Sequence, residues 1–180
     1  MTNTIRDKEP YVIIFLTLVT LLAVSLLAAI DVKTRPQIKL QKEKKIQAML
    51  KGIYPTMTGY TENEGLYTVT GESGDLGWAL TGAGKGYGGA IELLVGVDTS
   101  RAIKEVIIIS HTETPGLGDK VLKDSFRGQF KGLLTEDVKL KKFGGKVDAI
   151  TGATISSKAV TEGVYSSLLK KQAQMNGKGK

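Results

Sequence analysis

The chain has 180 residues, of which 41% are hydrophobic and 24% are charged, as expected for one globular domain with a short additional segment. It has no cysteine and a single histidine, His111. This excludes disulfides, thiol catalysis, zinc–cysteine and iron–sulfur centres, and metal or haem sites built from several histidines. The formal net charge is +7, but residues 31–50 alone carry six basic and two acidic residues. Because most of the excess lies outside the predicted domain, we expect no nucleic-acid partner.

The first predicted element is the apolar run at residues 11–30, which contains no charged residue, glycine or proline. Twenty helical residues span about 30 Å, the thickness of the hydrocarbon core of a bilayer. A cleaved signal peptide is the alternative, although its apolar region is usually about 7–15 residues long. We therefore predict an N-terminal tail at 1–10 and a single transmembrane helix at 11–30, held in the lipid bilayer.

A basic juxtamembrane stalk is predicted at 31–51, next to the lipid headgroups, and Pro36 is expected to interrupt the helix there. The excess of lysine and arginine on this side of the apolar run favours a cytoplasmic location for the domain that follows. Long domains also cross membranes against such charge, so the charge pattern alone leaves the side open.

The predicted domain covers residues 52–171, is of the α+β class and has a mainly antiparallel sheet. Glycines and turn residues occupy 52–65, and strands are predicted at 66–70, 78–80, 90–98 and 103–110, the last two as an antiparallel hairpin. The later predicted elements are a short helix or turn at 121–130, short strands at 138–140 and 146–147, a final helix at 155–169 and a flexible tail at 172–180.

The first motif is glycine-rich: residues 84–89 read G-x-G-x-x-G. A dinucleotide-binding fold requires a helix directly after such a turn, whereas a β-rich run follows here. The segment therefore predicts a tight glycine turn, with a loop whose backbone lies against a flat ligand as the alternative.

The second motif, His-Thr-Glu-Thr-Pro-Gly-Leu-Gly at 111–118, follows an apolar strand directly. A single histidine at a strand end usually has a structural role. The loop also brings Glu113 and threonine hydroxyls together with one apolar side chain, Leu117, a mixture typical of ligand pockets.

The third motif, Asp-Ala-Ile-Thr-Gly-Ala-Thr at 148–154, lies immediately before the predicted final helix. Its hydroxyl residues suit a helix N-cap. The alternative is a phosphate site, because small residues expose the free amides of the first helical turn and the helix dipole favours an anion there.

In this order the three motifs closely resemble the FMN-binding domain of the G subunit of Rnf ferredoxin–NAD oxidoreductase complexes, and also that of the C subunit of the sodium-translocating NADH–quinone reductase. The resemblance implies that Thr154 carries FMN through a phosphoester bond made by a dedicated flavin transferase. It also implies that the transferase recognises Asp148 during flavinylation. It implies no catalytic residue and no metal on this chain. The implied flavin surroundings are Thr151, Gly152, Ala153, Glu113, Thr114, Leu117, Gly118 and Tyr87.

The resemblance further implies a membrane-anchored electron-transfer subunit. The complex would couple ferredoxin oxidation and NAD reduction to sodium or proton transport, with other membrane subunits as partners. The family places the flavin domain outside the cytoplasmic membrane, against the local charge pattern. The short linker after the apolar run resembles the G subunit more than the C subunit. The remaining alternatives are a free-standing extracytoplasmic flavin reductase and an anchored, non-redox module that binds a phosphorylated ligand reversibly.

Overall fold

The computed structural model describes residues 9–177. Most of the predicted tail at 1–10 and the last three residues of the predicted tail at 172–180 therefore lie outside the described residues. The chain divides into two compact units between Gln47 and Ala48, and each is described by itself.

The first unit consists of most of helix α1, which spans Glu9–Ile53. Its apolar side chains from Tyr11 to Val32 are exposed, and the segment is long and apolar enough to cross a membrane. The hydroxyl groups of Thr17 and Thr20 donate to carbonyl oxygens one turn earlier, at 2.8 and 2.7 Å, so both groups are satisfied within the helix. The predicted interruption at Pro36 is wrong, because a proline removes one hydrogen bond and the helix keeps the others.

The second unit contains a five-stranded antiparallel sheet in which every strand pairs with its neighbour in the sequence. The strands are β1 (Met57–Asn63), β2 (Leu66–Gly71), β3 (Gly74–Lys85), β4 (Ala90–Val97) and β5 (Ile103–Ser110). The sequence predicted β2, the centre of β3 and the β4–β5 hairpin, but it assigned β1 to turns. β1 is an edge strand with mostly exposed, polar residues, so it lacks the alternation of apolar residues that marks a strand.

Between β5 and the last helix, the chain forms short helical turns: Gly118–Leu122, α2 (Asp124–Arg127) and Gly128–Phe130. The two short strands predicted near 138–147 are reduced to a single parallel bridge between Leu140 and Val147. Phe126 and Phe130 are buried in this region and meet edge to face, with ring centroids 5.6 Å apart. These turns close one end of the core and lead to the third motif.

Helix α3 spans Thr154–Gly177 and packs on the sheet, mainly against β3. It is longer than predicted and includes residues 172–177, which the sequence assigned to a flexible tail. Met175 explains the difference, because it is 4% exposed and belongs to the same core as Val164 and Leu168. The burial of this side chain keeps the last turns of α3 on the domain.

Glycines allow β3 and α3 to approach backbone to backbone. A Cβ atom at Gly84 would lie 1.9 Å from the carbonyl oxygen of Ala159, and one at Gly82 would lie 2.9 Å from that of Gly163. No side chain fits at Gly84 without separating the two elements. Because β3 and α3 run in opposite directions at this contact, the end of β3 lies beside the beginning of α3.

Tyr54 holds the start of the domain to the centre of the sheet. Its side chain is 1% exposed, and its hydroxyl oxygen lies 2.7 Å from the carbonyl oxygens of both Trp78 and Val97. The Lys104 ammonium group lies 4.7 Å from the centre of the ring. Burial raises the pKa of the Tyr54 phenol well above its ordinary value, so the hydroxyl remains a hydrogen-bond donor at physiological pH.

Candidate functional site

The glycine-rich motif forms the turn between β3 and β4. The amide of Gly86 donates to the carbonyl oxygen of Gly89 at 2.8 Å, which closes the turn. The Tyr87 side chain at its tip is 74% exposed. An open cavity of about 460 Å³ is lined by residues 83–90, and this volume lies within the range of small-molecule sites.

Glu113 of the second motif connects this turn to α3. The side chain is 5% exposed. Its Oε1 accepts the Gly88 amide at 3.0 Å, and its Oε2 accepts the Ser156 hydroxyl at 2.5 Å. The glycine-rich motif, the second motif and the residues directly after the third motif therefore meet around one carboxylate.

The rest of this loop turns tightly toward the third motif. The carbonyl oxygen of Thr114 accepts the amides of Leu117 and Gly118 at 3.2 and 3.1 Å. Leu117 is 45% exposed, and its Cδ1 lies 3.5 Å from the point that a Cβ atom on Gly152 would occupy. The His111 Nδ1 accepts the amide of Glu113 at 3.2 Å, which is the structural role expected for this histidine.

The third motif begins at Asp148, an exposed acidic residue whose backbone amide and carbonyl groups are both bound by one neighbouring side chain. The amide of Asp148 donates to Gln129 Oε1 at 2.7 Å, and its carbonyl oxygen accepts Gln129 Nε2 at 3.4 Å. The Asp148 carboxylate pairs with the Lys141 ammonium group at 2.6 Å, and both side chains are exposed. The acidic side chain is therefore presented on the surface while its backbone is held.

Thr154 is the first residue of α3, and it is exposed, like Thr151 and Gly152 before it. Gly152 adopts a φ of +80°, which the turn into the helix requires and which other residues rarely adopt. Ala153 is buried at 5% exposure and occupies the position before the helix, where it has no side-chain oxygen to cap it.

The predicted hydroxyl cap is not formed. The Ser157 hydroxyl accepts the amide of Ile150 at 3.0 Å and donates to the carbonyl oxygen of Ala153 at 2.9 Å, while Ser156 donates to Glu113. Across residues 9–177, no group accepts a hydrogen bond from the first three amides of α3, those of residues 154–156. The helix thus begins with free donors beside an exposed threonine hydroxyl, an arrangement suited to an anion.

Sequence reasoning did not assign roles to Gln129, Lys141 or Ser156. The first two pair with Asp148 across turns that the sequence does not define. Ser156 gave a weak signal as one of two serines after Thr154, where capping residues are common. Among residues 9–177, no group of three or more His, Asp or Glu side chains is arranged as a metal site.

Comparison with known proteins identifies the domain family. Residues 86–168 match the FMN-binding domain family. The G subunit of the proton-translocating ferredoxin:NAD(+) oxidoreductase complex of Clostridium ljungdahlii is 50% identical over 92 residues, which are 49% of this chain and 50% of that protein. The G subunit of the ion-translocating oxidoreductase complex of Methanosarcina acetivorans is 32% identical over 171 residues, covering 87% of this chain and 91% of the relative.

A solved structure shares the fold. The crystal structure of Shewanella oneidensis NqrC aligns over 69% of this chain and 73% of its own with a TM-score of 0.52 and 20% identity. Fold and site thus define an FMN-binding domain that follows an apolar helix. The chain belongs to the family of G subunits of ion-translocating oxidoreductase (Rnf) complexes.

Proposed function

We propose that this chain is the membrane-anchored, FMN-carrying electron-transfer subunit of an Rnf-type complex, which couples ferredoxin oxidation and NAD reduction to sodium or proton transport. The proposal is supported by the family, by the apolar segment of α1 and by the FMN-binding domain at 86–168. The ferredoxin and NAD sites would then lie on other subunits of the complex.

The observation that carries the proposal is the uncapped start of α3. Three free amides and the positive end of the helix dipole lie beside the exposed hydroxyl of Thr154. We propose that FMN is joined here by a phosphoester, in which Thr154 Oγ1 forms a bond to phosphorus and, relative to free FMN, one water is lost. The amides of residues 154–156 would donate to the phosphate oxygens and offset their charge.

The other motif residues fit the remainder of this group. The cavity along residues 83–90 lies beside the start of α3, because Gly88 and Ser156 bind the same carboxylate. Leu117 supplies an exposed apolar surface next to Gly152, and Tyr87 an exposed ring at the turn. When bound, FMN supplies one- and two-electron redox chemistry, and the chain supplies its position and surroundings.

Location and maturation form the second part of the proposal. The domain lies on the extracytoplasmic side of the cytoplasmic membrane, and a separate flavin transferase attaches the FMN there. A covalent bond has a physical advantage on that side, because a cofactor lost from an exposed site would diffuse away.

The experiment is intact-mass measurement of the full chain purified from cells that contain the transferase. The expected mass is that of the chain plus one FMN less one water. Thr154→Ala should remove this addition and the in-gel flavin fluorescence, while the matched variant Thr151→Ala, an exposed threonine three residues earlier, should keep both. Flavin lost during denaturing electrophoresis of the unaltered chain would instead support reversible binding of a phosphorylated ligand. Fluorescence retained by Thr154→Ala would contradict the assignment of the threonine.

The alternative complex is the sodium-translocating NADH:quinone reductase, and the fold similarity to NqrC favours it. The relatives that cover most of the chain are named as G subunits instead, and they are more similar in sequence than NqrC is. Purification of the chain with its native partners separates the two, because ferredoxin-dependent NAD reduction is expected from the first complex and quinone reduction from the second.

A further inference from the structure

Glu113 is a buried carboxylate that forms no ion pair within residues 9–177. Within the described part of the chain, its oxygens accept hydrogen bonds from Gly88 and Ser156, and none of the ion pairs includes it. Burying a carboxylate is costly unless hydrogen bonds and local dipoles replace its hydration. The two donors and the positive end of α3, where Ser156 is the third residue, provide that replacement.

Two glycines from different motifs make room for this carboxylate. A Cβ atom at Gly86 would lie 2.1 Å from Glu113 Oε1, and one at Gly118 would lie 2.3 Å from Oε2. Gly118 also faces Ser156, whose hydroxyl oxygen would be 2.8 Å from the added Cβ. The surroundings of Glu113 therefore leave room on both sides for a side chain of this length.

Stability alone does not account for such a group, because apolar groups of the same shape can replace both partners of a buried hydrogen bond with almost no loss of stability. What an apolar side chain does not provide is a hydrogen-bonded link between a backbone amide in one segment and a hydroxyl group in another. Gly88 offers only its backbone, and Ser156 offers a hydroxyl in the first turn of α3. The carboxylate is long enough to bind both.

We infer that Glu113 is a positioning residue, which fixes the glycine turn at 86–89 relative to the first turn of α3 and so sets the geometry around Thr154. It acts through Gly88 and Ser156 rather than by contact with the flavin, although the sequence motif suggested a direct contact. The part of this inference that concerns the geometry around Thr154 rests on the proposed function. The link from Gly88 through Glu113 to Ser156 is present in the chain without flavin.

The first test uses the full chain in detergent, produced without the transferase, and measures hydrogen–deuterium exchange at residues 86–89. Glu113→Ala should accelerate exchange of the Gly88 amide by roughly tenfold, as expected when one partly buried hydrogen bond to a carboxylate is lost. Glu113→Gln retains an acceptor for Gly88 and should exchange like the unaltered chain. Unchanged exchange in Glu113→Ala would overturn the inference. If Glu113→Ala does not fold, rapid exchange in a folded Glu113→Gln chain would overturn it as well.

The second test measures flavin occupancy by intact mass and the visible spectrum after coexpression with the transferase. Glu113→Ala should lower occupancy severalfold, Ser156→Ala should lower it less, and the double variant should be no worse than Glu113→Ala, because both substitutions break one link. Glu113→Gln should keep both the occupancy and the spectrum. A shifted spectrum in Glu113→Gln with normal exchange at Gly88 would show direct contact with the flavin and overturn the positioning role.

The matched control is a second serine–glutamate pair, which lies on the sheet. Ser110 donates to Glu92 at 3.0 Å, but this pair is exposed and joins only β4 and β5. Glu92→Ala, Ser110→Ala and their double variant should leave exchange at Gly88 and flavin occupancy unchanged. If the unaltered chain carries no flavin while Glu113→Ala still accelerates exchange, the proposed function fails and the link stands. If the unaltered chain carries flavin and Glu113→Ala leaves exchange unchanged, only the link is rejected.

Discussion

At the scale of single residues, the backbone and the side chains of the third motif have different roles. Its backbone is fixed by Gln129 and Ser157, whereas the side chains of Asp148, Thr151 and Thr154 remain exposed. A modifying enzyme needs access to side chains, and this arrangement provides it while the backbone keeps its hydrogen bonds. Substitutions of the exposed side chains should therefore affect flavin attachment more than folding.

Asp148→Asn tests this separation. The variant loses an exposed ion pair worth about 0–1 kcal/mol, so the thermal midpoint should change little. On the hypothesis that the transferase, or a metal that it carries, recognises the carboxylate, we expect flavin occupancy in cells to fall. The matched variant Lys141→Met breaks the same pair but keeps the carboxylate, and it should retain full occupancy. Equal losses in both variants would assign the effect to the ion pair instead.

Leu117→Ala tests the apolar surface beside Gly152. Covering a leucine side chain completely is worth roughly 1.5–3 kcal/mol, so covering the 45% that is exposed is worth about 1 kcal/mol. That is enough to order a flavin ring but is not needed to keep a covalently bound one. The variant should stay yellow while its visible spectrum, fluorescence quenching and midpoint potential change. Leu134→Ala, at 40% exposure outside the three motifs, should change none of them, and a normal spectrum in Leu117→Ala would place the loop away from the ring.

At the scale of secondary-structure elements, sequence patterns predicted the strands that carry long runs of aliphatic and β-branched residues. The β4–β5 hairpin is an example, because AIELLVGV and IKEVIIIS supply such runs and Asp98 stabilises the turn by accepting the Ser100 amide at 2.8 Å. β1 was missed because an edge strand can remain polar, and the end of α3 because the single apolar residue Met175 decides it. The motifs predicted a candidate site, but the link through Glu113 depends on contacts between distant segments and has no local signal in the sequence.

Gly84→Ala tests the contact between β3 and α3. The new Cβ atom would lie 1.9 Å from a backbone oxygen of α3, which a change of side-chain conformation does not relieve. We expect a loss of about 2 kcal/mol or more, the upper part of the range for overpacking, measured as a lower thermal midpoint of the unmodified chain. Gly128→Ala is the control, since no atom lies within 4 Å of its added Cβ. Equal midpoints for the two variants would contradict the close approach.

At the scale of the whole molecule, the charge pattern and the family resemblance lead to opposite expectations for the side of the membrane on which the domain lies. The chain contains no cysteine, so a single introduced thiol reports location without background. Lys131→Cys on the exposed surface of the domain should react with a membrane-impermeant maleimide added to intact cells, whereas Thr4→Cys, before α1, should react only after lysis. The reverse labelling pattern would place the domain in the cytoplasm, as the basic residues at 31–50 favour.

The order of the strands also determines the order in which parts of the domain fold. Because each strand pairs with the next one in the sequence, the sheet can assemble one hairpin after another without a search between distant parts of the chain, and proteins rich in such local contacts fold rapidly. α3 is different, since it comes from the end of the chain and must return to β3, a contact that closes a long loop. The sheet should therefore form before α3 packs on it. During that interval the glycine-lined surface of β3 is uncovered, and the surroundings of Thr154 are completed only in the final step of folding.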